Sequence, residues 1–222
     1  MGDIVKVCNL FAGIGGNRKL WQDVEVTAVE LNPQIAKIYQ DFFPDDKVIV
    51  GDAHQYLLDH YKEFDFIWSS PPCQKHSRMN LINISKGVSK PSYTDMTLWQ
   101  EIIFLKSFCE TKFAVENVIP YYKPIIHSTV LIGSHLFWTN FRINKIKSHI
   151  TKIPGFKLAN ITGRERANSL DILVENWHGF KGKRDQIINN CLEPETGLHI
   201  LNSARDSFPQ PNEGLFAEVI KK

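Results

Sequence analysis

Five apolar runs rich in β-branched and aromatic residues punctuate the first half of the chain, at residues 4–10, 24–29, 47–50, 64–68 and 112–115. Runs this short, bounded for the most part by Gly, Pro, Asn or Asp, predict buried strands rather than helices. The stretches between them carry helical spacing. Residues 33–42 open on Asn32-Pro33, with the proline in the first turn, where its missing N–H is not needed. Residues 53–61 follow, and 96–110 set Leu98, Ile102, Leu105 and Cys109 along one face. Strand alternating with helix in this way predicts an α/β fold with a doubly wound, mostly parallel sheet. Residues 75–93 hold Gly87, Pro91 and many Ser and Asn without clear periodicity, which predicts a long mobile loop. After Glu116 the pattern loosens: 135–141 predicts one more strand, Pro154-Gly155 a turn, and 198–222 a short, partly amphipathic segment.

The residues that follow the strands carry the chemistry. The first strand runs into Phe11-Ala12-Gly13-Ile14-Gly15-Gly16, where glycines permit a tight turn and close backbone approach to a ligand. The spacing is not the dinucleotide fingerprint, whose third glycine would fall where Arg18 stands, and no Walker Lys-Ser pair is present. Glu30 ends the second strand and Asp52 follows the third; the bland reading of each by itself is helix capping or a surface charge. Together, the glycine turn and two carboxylates at three successive strand ends describe a site for a nucleoside-like cofactor. The fourth strand stops at Ser69-Ser70-Pro71-Pro72-Cys73-Gln74. A double proline cannot continue a sheet ladder, so it delivers Cys73 rigidly beyond a strand end, as a candidate nucleophile. The fifth strand ends in Glu116-Asn117-Val118. His76 reads as a phosphate contact or a solvated group in preference to a catalytic base.

Composition narrows the class. In 222 residues, 43% hydrophobic and 23% charged positions are ordinary globular values. No apolar run approaches a membrane span, and Met1-Gly2-Asp3-Ile4-Val5-Lys6 lacks a signal-peptide layout, so a soluble, intracellular protein is expected. Cys8, Cys73, Cys109 and Cys191 are too scattered for a zinc site and too few for a disulfide framework; Cys8 and Cys109 read as buried core thiols. The net charge is only +2, but residues 142–184 carry ten Lys and Arg against three Asp and Glu. Such a block suits a phosphate backbone, although solvated faces look the same. Its aromatics, Phe156, Trp177 and Phe180, read as the core of a small lobe.

With Phe11-Ala12-Gly13-Ile14-Gly15-Gly16, Pro72-Cys73-Gln74 and Glu116-Asn117-Val118 in that order, the sequence resembles the DNA cytosine-5 methyltransferases over about residues 4–120. The resemblance implies a Rossmann-like methyltransferase fold and an S-adenosylmethionine cofactor. It places Phe11, Gly13 and Gly15 along that cofactor, Glu30 on its ribose and Asp52 on its adenine. Cys73 becomes the nucleophile toward C6 of a flipped-out cytosine, and Glu116 contacts the base. The implied organisation is a catalytic domain over 1–141, a small basic target-recognition region over 142–195, and a segment over 196–222 that returns to the catalytic domain. The implied partner is DNA, with RNA as the alternative, for a monomer or a chain that relies on a partner for recognition. The expected setting is the cytoplasm, in a prokaryotic restriction-modification system or a phage.

The chain departs from the family pattern at three places. Lys75-His76-Ser77 follows Gln74, where many members have a small residue or proline and then an aromatic. No Gln-x-Arg-x-Arg segment is present; Arg142 or Arg164-Glu165-Arg166 are the substitutes. The closing Gly-Asn-Ser-Val segment corresponds to Leu201-Asn202-Ser203-Ala204, implying a cofactor contact by Asn202. Competing readings are a non-catalytic nucleic-acid-binding module, an exocyclic amino methyltransferase suggested by Ser70-Pro71-Pro72, and a Cys-His hydrolase built on Cys73 and His76.

Overall fold

The computed structural model describes residues 4–143 and 163–206. The five predicted strands are present as β1 (Val5–Leu10), β2 (Val24–Glu30), β3 (Lys47–Val50), β4 (Phe66–Ser69) and β5 (Lys112–Val118). Two more, β6 (Val130–Ile132) and β7 (His135–Thr139), complete a sheet in the order β3-β2-β1-β4-β5-β7-β6. The first five run parallel, and β7 is antiparallel to both β5 and β6. The helices are α1 (Pro33–Phe42), α2 (Ala53–His60), α3 (Arg78–Ser85), α4 (Thr97–Phe108), α5 (Gly163–Ser169), α6 (Arg184–Asn189) and α7 (Pro194–Arg205). The order of the parallel strands reverses between β1 and β4, where such a sheet opens a crevice beyond its carboxyl ends.

Both faces of the sheet are covered, which is why its strands are apolar runs without clean alternation. On one face Val5, Val7, Phe66, Trp68 and Phe137 pack with Ile200, Leu201 and Ala204 of α7. On the other, Cys8, Leu10, Ile67 and Trp138 pack with Leu57 of α2 and Leu98, Trp99, Ile102 and Leu105 of α4. Trp68, Trp99 and Trp138 are fully buried, and truncating an indole of this kind costs about 3–5 kcal/mol. Gly197 lets α7 approach this closely: a Cβ there would stand 2.1 Å from the Asn17 carbonyl oxygen.

Three segments differ from the sequence expectation. Residues 75–93 contain α3, whose N-terminal Ser77 caps the Asn80 N–H. No residue of α3 is buried, so it presents no amphipathic period to read. β6 has only three residues and takes its identity from pairing with β7 across the turn at Gly133. Of the basic block, residues 144–162, including Phe156 and the expected turn at Pro154-Gly155, lie outside the described residues, as do 207–222. Its described part packs Trp177 and Phe180 with Ala167, Leu170, Ile172 and Ile188 against Ile35 and Ile38 of α1. The two aromatics therefore serve packing, with the Arg184 guanidinium 4.9 Å from the Trp177 ring centroid.

Arg18, which occupies the place of a third glycine, locks the first turn to the loop before β3. Its Nε and a terminal nitrogen each donate to Asp46 at 2.9 Å, and the Tyr39 hydroxyl donates to the same carboxylate at 2.8 Å. The Asp46 side chain is 4% exposed and that of Arg18 13%. Asp46→Asn leaves Arg18 buried without its counter-ion and is expected to lower the urea unfolding free energy by about 3 kcal/mol. A loss below about 1 kcal/mol would show that water replaces the carboxylate.

Candidate active site

At the switch point the strand-end loops enclose a cleft of about 540 Å³. Its first wall is the glycine turn. Ala12 N–H donates to the Val29 carbonyl at 3.0 Å, and the chain reverses through left-handed conformations at Phe11 (φ 53°), Gly13 (56°) and Gly15 (81°). Phe11 and Gly13 line the cleft, and nothing lies within 4 Å of where a Gly13 Cβ would stand. Gly15 does not line it: a Cβ there would meet the Phe43 ring at 2.2 Å, so this glycine lets the turn pack on α1.

Glu30 bridges the turn to the start of α1. One carboxylate oxygen accepts from Gly13 N–H at 3.0 Å and the other from Asn32 N–H at 2.9 Å. Burial pushes the Glu30 carboxyl above the usual carboxylate range, against these backbone donors. Asp52 caps α2 through the Gln55 N–H at 2.9 Å and also lines the cleft, so capping and cleft placement coincide.

The opposite wall carries Cys73. Trp68 Nε1 donates to Ser70 Oγ at 2.8 Å, and Asn117 Nδ2 donates to the Pro71 carbonyl at 2.8 Å from the neighbouring strand. Beyond Cys73, the N–H groups of His76 and Ser77 both donate to its carbonyl at 3.0 Å, closing a turn. His76 is fully buried and shares a hydrogen bond with the Tyr122 hydroxyl, packed edge-on to Trp99. It is neither solvated nor a phosphate contact, contrary to the sequence expectation, because it fills a pocket among aromatic rings. Burial also holds its imidazole below the usual histidine range.

Glu116 faces the same cleft from β5, with its side chain 13% exposed. Burial raises its carboxyl, while His135 and a hydrogen bond from Ser70 act the other way. Burial, and then the charge of Glu116, push the Cys73 thiol up to about 11. Burial thus favours the neutral thiol at Cys73 and works toward the protonated form of Glu116. Among the described residues no cluster of His, Cys, Asp and Glu suits a metal ion.

Asn202 does not join the site. It is exposed on α7 and absent from the cleft. The segment that does close the cleft is Asn190-Cys191-Leu192, immediately before α7. A Gly16 Cβ would stand 2.7 Å from Cys191 Cβ, so that glycine admits the segment. The sequence signal for it was an Asn four residues before Pro194, the proline that opens the helix. Arg142, Arg164 and Arg166 do not line the cleft; Arg166 instead bonds Glu193 at 2.8 Å. His135, which no sequence argument singled out, lies beside Glu116.

The raised thiol has a direct consequence. Iodoacetamide at pH 8 is expected to modify Cys73 more slowly than an unfolded control peptide, and Glu116→Gln is expected to speed it by removing the opposing charge. Peptide mass mapping checks this; a slower reaction in Glu116→Gln would overturn the electrostatic coupling.

A family model described as C-5 cytosine-specific DNA methylase matches residues 5–121. No curated protein matches the chain. Among solved structures, a methyltransferase from Entamoeba histolytica, EhMeth, is 12% identical with a TM-score of 0.50, over 94% of this chain and 100% of that one. A DNMT2 mutant from Spodoptera frugiperda is 25% identical with a TM-score of 0.38, over 51% of this chain and 35% of that one. The chain thus spans about a third of that relative's length. The EhMeth likeness extends over nearly the whole chain and concerns the fold, a doubly wound methyltransferase sheet. The family match takes in the glycine turn, Cys73 and Glu116, which the fold brings to a single cleft, and it covers more than half of the sequence: the chain belongs to the C-5 cytosine-specific DNA methylase family.

Proposed function

We propose that this protein transfers a methyl group from S-adenosylmethionine to C5 of cytosine in DNA, through a covalent bond between Cys73 and C6. The observation that carries the reading is the convergence of Cys73, Glu116 and Glu30 on one cleft at the switch point of the sheet. Phe11, open-backed Gly13, Glu30 and Asp52 suit an adenosyl group, with the carboxylates on its hydroxyl and amino donors. When bound, S-adenosylmethionine supplies an electrophilic methyl group and a positive charge near the thiol.

Each residue then has a defined task. Cys73 gives up its thiol proton to solvent and, as thiolate, adds to C6, pushing electron density toward C5, which becomes nucleophilic enough to take the methyl group. Glu116, protonated, donates to N3 and neutralises the charge that the addition places on the ring. The C5 proton then passes to solvent, the C6–Sγ bond breaks with its electron pair returning to Cys73, and N3 gives its proton back to Glu116, which restores the aromatic ring. The Pro71-Pro72 loop holds Sγ at fixed geometry. The target base has to leave the duplex, because a stacked base offers neither face to a thiol. The catalytic part is proposed as 1–141, with the basic residues of 142–195 on the DNA backbone and 196–222 as a segment of the catalytic domain.

The test is labelled methyl transfer to duplex DNA and to tRNA side by side, with mass analysis of the released nucleosides. 5-Methylcytosine is expected in DNA, falling to background in Cys73→Ala and by roughly 10²–10⁴-fold in Glu116→Gln. Undiminished methylation in Cys73→Ala, product in tRNA alone, or N4-methylcytosine would each overturn the reading.

A further inference from the structure

Glu116 needs a basic neighbour if it is to give up a proton inside a buried cleft and recover it. The chain has no Gln-x-Arg-x-Arg segment, Arg142 is exposed, and Arg166 is held by Glu193. Among the described residues, the basic side chain that faces Glu116 is His135. In the antiparallel β5–β7 ladder Glu116 stands opposite Phe137 and Val118 opposite His135. Positions 116 and 135 are thus diagonal neighbours on one face of the sheet, a spacing that long side chains bridge. His135 Nε2 lies 3.7 Å from Glu116 Oε1, both residues line the cleft, and their side chains are 20% and 13% exposed.

The surroundings allow the pair to act as a unit. Ser134 Oγ is 3.4 Å from His135 Nδ1 on the hairpin itself. From the β4 end, Ser70 hydrogen-bonds Glu116. From the start of α7, Glu193 also acts on both groups, but it is paired with Arg166 of α5 at 2.8 Å. The Cys73 thiol completes the set that faces the carboxyl. An ionised carboxylate left alone in such a site is costly, and an imidazole beside it is the side chain best suited to carry a proton near neutral pH.

We propose that His135 is a positioning residue for Glu116, and that the two hold one proton in common across the β5–β7 ladder. This rests on the reading of Glu116 as the acid toward N3. The proton sits on Glu116 with a neutral imidazole, or on His135 beside a carboxylate; moving it from Nε2 to Oε1 interconverts the two. After donation to N3 the pair is one proton short, and it recovers that proton from N3 when the covalent adduct breaks down. Glu116 loses its proton as pH rises, and the neighbouring His135 shifts where that happens. Turnover therefore falls on the basic side at a pH set by both groups.

The experiment compares wild type, His135→Gln, His135→Lys and Glu116→Gln for kcat against pH, KM for S-adenosylmethionine, and cofactor binding by calorimetry. In His135→Gln, kcat is expected to drop by about 10²-fold with KM changed less than twofold. Its basic limb should move to lower pH by at least about one unit, since the carboxyl then loses its proton unaided. In His135→Lys, which keeps a cation, that limb should move up. His135→Gln turning over within twofold of wild type, or a loss of kcat with the limb unmoved in both variants, overturns the proposal. If Glu116→Gln keeps wild-type turnover, the acid role of Glu116 fails; if it is inactive while His135→Gln matches wild type, only the shared proton fails.

Discussion

The hydrogen bond from Asn117 Nδ2 to the Pro71 carbonyl, buried between two parallel strands, is what the site is built around. The β4–β5 pairing sets Ser69 against Val115, so the next step of the ladder would pair position 71 with position 117. Pro71 and Pro72 have no N–H to offer, and the ladder would end there. The asparagine side chain carries it one step further. Left unmade, the bond would strand a buried amide at a cost of about 1–3 kcal/mol. Made, it sets the loop that carries Cys73 against the strand that carries Glu116, one residue before the asparagine.

The rest of the cleft is assembled by close approaches that only glycine permits. Gly15 lets the first turn lie on Tyr39 and Phe43, Gly16 lets Cys191 come against it, and Gly197 brings α7 onto the Asn17 backbone. These contacts join residues far apart in sequence. They draw Asn190-Cys191-Leu192 over the turn, so the segment that leads into α7 closes the site that the first loop opens. The Arg18–Asp46–Tyr39 network braces the same turn from behind.

Burial dominates the electrostatics of the cleft. It raises Glu30, Glu116 and the Cys73 thiol together, and in each case hydrogen bonds or neighbouring charges adjust a shift that desolvation begins. Such an enclosure favours a neutral thiol and a neutral acid until charge is brought in with the ligands. Fixed dipoles and carboxylates in a site of low dielectric act more strongly on developing charge than they would in water.

The α/β class, the five parallel strands, and the placement of Phe11, Gly13, Glu30, Asp52, Cys73 and Glu116 at strand ends were legible in the sequence. They depend on local rules: short apolar runs between helical spacings, and glycine or proline where a strand must stop. The helix within 75–93 was not legible, because α3 buries no face and so leaves no period. Neither were the pairing of His135 with Glu116, the inward position of Asn190, or the outward one of Asn202. Each of these is fixed by strand register or by how a distant helix packs, and a one-dimensional pattern carries no record of either. The Pro-Pro-Cys segment itself announced a rigid thiol, but only the pairing of β4 with β5 and of β5 with β7 decided which groups would face it.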